Sequence, residues 1–169
     1  MGGPAGPPAP QSMADFLHKV RAARMSTSSS PSILPQQTIT GKARLAGVLG
    51  WPVAHSRSPT LHNYWLRRYG LDGAYVPLPA TPESFVAAVR GLQAAGFKGA
   101  NVTIPHKEAA YKLADVLDDS AKRAGAVNTL VFAQDGKIHG LSTDGGGFVA
   151  SLQACGLPPL PNHRCLLLG

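Results

Sequence analysis

The chain has only two cysteines, Cys155 and Cys165, both late in its 169 residues and without the spacing of a disulfide framework or a zinc site. That excludes a disulfide-stapled scaffold, and reduced thiols in the cytoplasm are the expectation. No run of about 20 apolar residues is present, so a membrane-spanning helix is excluded, and no secretory h-region appears. Acidic residues are scarce as well, 9 against 16 Lys and Arg, for a net charge of +7. Five basic residues (Lys19, Arg21, Arg24, Lys42 and Arg44) against Asp15 place +4 of that excess in the first 44 positions. The remaining basic residues are scattered, and no basic stripe is interleaved with aromatics, so nucleic-acid binding is not expected.

What is present reads as one globular domain with tails, since a well-cored domain needs about 100–150 residues. Met1 to about Thr40 is rich in Pro, Gly, Ser and Gln and has too little apolar surface to offset the entropy of ordering. Residues 1–43 are therefore expected to be a disordered tail. Within it, Ala14 to Arg24 could form a short basic amphipathic helix. With the Ser/Thr run after it, that helix superficially resembles a transit peptide, but a floppy tail or a start at Met13 or Met25 accounts for it equally well.

From Arg44 onward, short apolar runs alternate with capped helical segments, the pattern of βαβ units. Strands are predicted at Arg44–Leu49, Ala74–Leu78, Ala100–Ile104, Val127–Phe132 and Ile138–Ser142. Helices are predicted from Ser58 to Tyr69, from Thr81 to Gly96 with Phe85, Val86, Val89 and Leu92 on one face, over Lys107–Leu117, over Ser120–Ala124, and from Asp144 to Cys155. Asp135-Gly136 marks a hairpin. The fold class that follows is α/β: an open, mostly parallel twisted sheet with one antiparallel hairpin strand and helices on both faces. A Pro-rich loop, Pro158 to Pro161, precedes a last apolar run, Cys165 to Leu168, which reads as a strand cut off at Gly169.

Chemistry-bearing residues cluster in three places. Gly50 to Pro59 follows the first strand and carries Ser56 and Ser58, hydroxyls placed where open α/β sheets bind ligands and where a helix N-terminus favours a carboxylate. Asn101 to Glu108 carries Asn101 and Thr103 on one side of the third strand, then Lys107, an ammonium able to move a proton to a reacting oxygen. Gly125 to Thr129 with Ser142 to Phe148 carries Asn128 and Asp144, the latter an acidic partner for Lys107. Taken singly, plainer readings are preferred: Ser58 and Asp144 as N-caps, Ser56 as a turn residue, His55 and His62 as surface histidines, and Lys107 as a lysine paired with Glu108.

Taken together and in this order, the clusters resemble the shikimate dehydrogenase family over about Leu45 to Gly169. The family pattern is G-x-P-x-x-H-S-x-S-P, N-V-T-x-P-x-K, G-A-x-N-T and N-T-D-G-x-G-F. The chain departs from it at Ser142, where Asn is usual. The resemblance implies that Ser56 and Ser58 bind a substrate carboxylate, that Asn101, Thr103, Asn128 and Asp144 contact ring hydroxyls, and that Lys107 and Asp144 form the catalytic pair. It implies reversible hydride exchange between NADP(H) and 3-dehydroshikimate, giving shikimate, in a two-domain enzyme that is often a homodimer, with no metal, membrane or nucleic acid involved.

The domain division it implies is a shikimate-binding body at 44–143, a connecting helix and loop at 144–163, and at 164–169 the first strand of a nucleotide-binding domain. Gly169 would open that domain's glycine-rich turn. On this reading the chain is truncated and inactive by itself. The rivals are a quinate/shikimate dehydrogenase and a non-catalytic shikimate-binding module.

Overall fold

The structure is a computed structural model, and it describes residues 38–156 together with 164 and 166. The expected N-terminal helix, the Pro158 loop, the strand from Cys165 and the role of Gly169 lie outside the described residues.

Among the described residues six strands form one sheet: β1 (Arg44–Gly50), β2 (Gly73–Pro79), β3 (Gly99–Val102), β4 (Val116–Leu117), β5 (Thr129–Phe132) and β6 (Ile138–Leu141). Their order is β2-β1-β3-β5-β6-β4. The β1–β2, β1–β3 and β4–β6 pairs are parallel, while β5 runs antiparallel to both β3 and β6. Only β5 opposes the common direction, as the hairpin signal predicts. Five helices accompany the sheet among the described residues: α1 (Ser58–Arg68), α2 (Phe85–Ala94), α3 (Lys107–Leu113), α4 (Asp119–Ala124) and α5 (Asp144–Ala154).

The period-two alternation of the strands divides the apolar residues between two faces. Leu49, Ala100, Val102, Leu130 and Ile138 pack with Phe85 and Val89 of α2, Ala110 of α3 and Ala121 of α4 in one core. Val48 and Tyr75 face the other way, against Leu66 of α1. Burying each large aliphatic side chain stabilises the fold by roughly 1.5–3 kcal/mol. Beside α1 a groove of about 1230 Å³ runs over this second face, past Trp65, Tyr75, Asn101, Thr129 and Val131.

Several local expectations need correction. The helix read over Lys107–Leu117 stops at Leu113, and Val116–Leu117 is a strand on β6. Ala114 is extended, the Asp115 N–H donates to the Ile138 carbonyl (2.8 Å), and the Ile138 N–H donates to the Asp115 carboxylate (2.8 Å). A sheet edge outcompetes one more helical turn. Val86 is 52% exposed, because the buried stripe of α2 runs through Phe85, Val89 and Leu92 and Val86 falls beside it. His62 is half-buried and stacks on Tyr75, with centroids 4.1 Å apart, and that burial lowers its pKa. The tail expected to end at residue 43 is tied down earlier: the Thr40 N–H donates to Asp72 Oδ1 (3.2 Å) and the Thr40 hydroxyl donates to Oδ2.

The turn into α4 is capped by Asp118, whose carboxylate accepts from the Ala121 N–H (2.7 Å) and from the Ser120 hydroxyl. The helix closes at Gly125 with φ 61°, a left-handed position suited to glycine. Replacing Asp118 with Ala should cost about 1 kcal/mol. Urea unfolding measures that loss, and an unchanged midpoint would mean the cap is idle.

Candidate functional site

The topology gathers the three clusters at one rim. β1 and β3 are parallel, so the loop after Gly50 and the segment after Val102 leave the sheet at the same end. The Trp51 N–H donates to the Ile104 carbonyl (3.1 Å) and the Thr103 N–H to the Leu49 carbonyl (2.9 Å), binding the two segments together. Gly50 is needed for this closeness, because a Cβ there would lie 2.5 Å from Thr103 Cγ2. β5 is antiparallel, so its beginning, with Asn128 just ahead, lies at that rim, and β6 delivers Ser142 to Asp144 there because Leu141 pairs with Thr129.

Lys107 and Asp144 meet: Nζ donates to Oδ2 at 2.7 Å, although 37 residues separate them. The pair is partly exposed, 34% and 57% at the side chains, so it remains open to a ligand. Asn128 Nδ2 donates to Asp144 Oδ1 (2.7 Å) and to the Thr143 hydroxyl (2.8 Å), while Oδ1 accepts from the Thr129 hydroxyl (2.9 Å) and the Thr143 N–H (3.1 Å). Asn128 thus spends every hydrogen-bonding position on the protein. The hydrogen bond from Lys107, followed by that from Asn128 and the charge of Lys107, holds the Asp144 carboxyl below its ordinary 3.8 against the opposing effect of burial. A lowered folded-state pKa stabilises the fold above the ordinary value, and that stabilisation disappears as acid carries the pH below 3.8 through the lowered one.

Neither expected cap role holds. Thr143 occupies the N-cap position of α5, and Asp144 is the first helical residue with its carboxylate turned to Lys107 and Asn128. Arg57 occupies the N-cap position of α1. Ser56 Oγ instead accepts from the Ser58 N–H at 3.3 Å. Among the described residues the Ser58 and Thr103 hydroxyls have no hydrogen-bond partner, so both are available to a ligand, and no hydrogen bond joins Ser56 or Ser58 to the other rim residues. Asn101 is engaged: its Oδ1 accepts from the Tyr75 hydroxyl (2.7 Å), and Nδ2 donates to the Thr129 hydroxyl (3.1 Å) and the Asn128 carbonyl (3.4 Å). Lys107 does not pair with Glu108. His106, just before it, is buried, stacks on Phe85 and places Nε2 2.8 Å from the Ala80 carbonyl oxygen.

Thr129, Thr143 and Tyr75 were not singled out in the sequence. The two threonines adjoin Asn128 and Asp144, which is a signal; Tyr75, 26 residues before Asn101, gives none. The backbone at Ser142, where the family pattern has Asn, is held by its N–H donating to the Ser120 hydroxyl (3.0 Å). No group of three or more metal-ligating side chains occurs among the described residues, and no helix there is long and apolar enough to cross a membrane.

The sheet and its rim place the chain in the class of open α/β domains whose ligands sit beyond the carboxyl ends of the strands. Residues 48–130 match the family described as shikimate dehydrogenase substrate binding domain. The chain belongs to the shikimate dehydrogenase family and carries its substrate-binding domain. It is 61% identical over 129 residues to the shikimate dehydrogenase (NADP(+)) of Acidiphilium cryptum, an alignment covering 76% of this chain and 46% of that protein. With the Paramagnetospirillum magneticum counterpart it shares 58% identity over 120 residues, 70% and 44% of the two chains.

The chain spans about half the length of the curated relatives it matches. The shikimate dehydrogenase crystal structure from Aquifex aeolicus superposes with a TM-score of 0.67 at 42% identity, covering 69% of this chain and 44% of that one. A Thermus thermophilus shikimate 5-dehydrogenase solved with shikimate gives 0.63 at 39% identity, with 68% and 44% covered.

Proposed function

We propose that this rim is the substrate site of an NADP-dependent shikimate dehydrogenase, in which 3-dehydroshikimate and shikimate are interconverted. The observation that carries the reading is the 2.7 Å Lys107–Asp144 pair braced by Asn128. Residues 44–143 form the substrate-binding body and 144–163 the connection beyond it, in a cytoplasmic protein that is a homodimer at full length.

Each side chain has a definite task. Ser56 and Ser58 donate their hydroxyl protons to the substrate carboxylate at the start of α1, where the helix dipole favours an anion. Thr103 binds a ring hydroxyl, and Asn101 and Asn128 each exchange one protein bond for a bond to a ring hydroxyl. Lys107 gives its proton to the carbonyl oxygen as reduction proceeds and recovers it in reverse, while Asp144 keeps the ammonium aimed.

The cofactor's chemistry is hydride exchange, but the described residues do not fit a dinucleotide. Gly145–Gly147 lie within a helix behind the Asp144 carboxylate, whose negative charge opposes a phosphate there. The cofactor therefore belongs to the part of the relatives that this chain does not cover.

Calorimetric titration of the chain with shikimate and, separately, quinate tests the substrate assignment. Shikimate should bind more tightly than quinate, and Ser58→Ala should weaken it about 10-fold or more by removing a hydrogen bond to a charged group. Equal affinity of the Ser58→Ala variant would remove the serine from the site, and no binding by the wild-type chain would defeat the assignment.

A further inference from the structure

We infer that Tyr75 is a positioning residue that sets the orientation of the Lys107–Asp144 pair from the opposite end of a hydrogen-bond relay. The inference rests on the proposed role of that pair. Tyr75 lies on β2, is only 5% exposed, and has its ring stacked on His62 at an interplanar angle of 11°, so its hydroxyl has one place to go. It donates to Asn101 Oδ1 at 2.7 Å. Burial pushes the Tyr75 pKa up to about 12, so the donor keeps its proton at neutral pH.

Each later link agrees in donor direction with the one before it. With Oδ1 of Asn101 turned to Tyr75, Nδ2 faces the Thr129 hydroxyl (3.1 Å) and the Asn128 carbonyl (3.4 Å), both of which accept. A hydroxyl that accepts from Asn101 has its single proton left to donate, and Thr129 gives it to Asn128 Oδ1 at 2.9 Å. That turns Asn128 Nδ2 towards Asp144 Oδ1 (2.7 Å), leaving Oδ2 for Lys107 (2.7 Å). A flipped Asn128 amide would set oxygen against carboxylate; the Thr143 N–H, which also donates to Oδ1 (3.1 Å), holds the same orientation, and the relay from Tyr75 supplies the second donor to that oxygen. The relay crosses four strands, β2 and β1 by way of the Tyr75 side chain and then β3 and β5, where Asn101 pairs with Thr129.

The test follows the Asp144 carboxyl titration by carbon-detected NMR in the 169-residue chain without ligand, beside a thermal melt. Tyr75→Phe keeps the ring on His62 and removes only the donor, and Thr129→Val breaks the relay in the middle. Both should raise the Asp144 midpoint by about half a pH unit as the Asn128 bond loosens. Leu66→Ala, which loosens packing beside Tyr75 without touching the relay, should lower the melting temperature and leave Asp144 where it is. A folded Tyr75→Phe chain with the wild-type Asp144 midpoint overturns the inference, as does an equal rise in Leu66→Ala. Shikimate titration of the same proteins separates the two levels: wild-type chain that fails to bind defeats the functional reading alone, and the carboxyl titration still decides the relay.

Discussion

Lys107→Ala should lower kcat by about 10²–10⁴-fold when this domain is joined to the uncovered part of the Acidiphilium cryptum relative, measured as shikimate-dependent NADP reduction. The size follows from the side chain's role in the proposed reaction: it is the cation at the rim that Asp144 holds at 2.7 Å, and its removal leaves no group to take the substrate hydroxyl's proton as NADP is reduced. KM should change much less, because the proposed site grips the carboxylate with other groups, Ser56 and Ser58. Ser58→Ala in the same fusion should show the reverse, with KM raised and kcat nearly kept. A Lys107→Ala enzyme with wild-type kcat would assign the proton to another group and reduce Lys107 to a surface ion pair.

Phe85→Ala should destabilise the chain by about 3–5 kcal/mol, the cost of losing a buried aromatic and leaving a cavity. Phe85 is 1% exposed, packs in the core that holds Leu49, Val102 and Leu130, and stacks on His106 with ring centroids 4.6 Å apart. His106 immediately precedes Lys107, so the loss should also loosen the start of α3. Denaturant unfolding measures the change, with Val86→Ala as the companion variant. Val86 is one residue away but 52% exposed, and its replacement should stay within about 0.5 kcal/mol. Equal effects from the two would mean that the core does not close on Phe85.

The contrast between these neighbours shows where the sequence could be read and where it could not. Both are apolar residues in one predicted helix, and the helical period admits either to the buried stripe until the neighbouring residues choose its centre. The same limit applied to Lys107–Leu117, where a continuous helical pattern concealed a break at Ala114: the competing partner, β6, lies more than 20 residues later. The hairpin around Gly136 was legible because its signal is local: Gly136 has φ 81°, and the Asp135 carboxylate accepts from the Lys137 N–H (3.0 Å).

At the rim, the order and spacing of the motifs carried the family resemblance through which Ser56, Ser58, Asn101, Thr103, Lys107, Asn128 and Asp144 were expected to serve the site. Their bonds were not readable. Ser58 and Asp144 sit where N-caps are expected, and only the folded chain shows that Arg57 and Thr143 take those positions, leaving the Ser58 hydroxyl without a partner and the Asp144 carboxylate facing a lysine.

By itself, then, the sequence determined the parallel α/β sheet with its single reversed strand, the family and the chemical types gathered at the sheet's edge. The sheet follows from periodicity and turn residues, which act over a few positions, and the family from the resemblance of its ordered motifs. Tertiary structure alone decided how closely Lys107 meets Asp144, the partner its motifs suggested, that Asn128 is spent in holding them, and that Tyr75 reaches Asn101. Those contacts join residues 16–37 positions apart, and the direction of each hydrogen bond is set by which neighbour has a proton left to give.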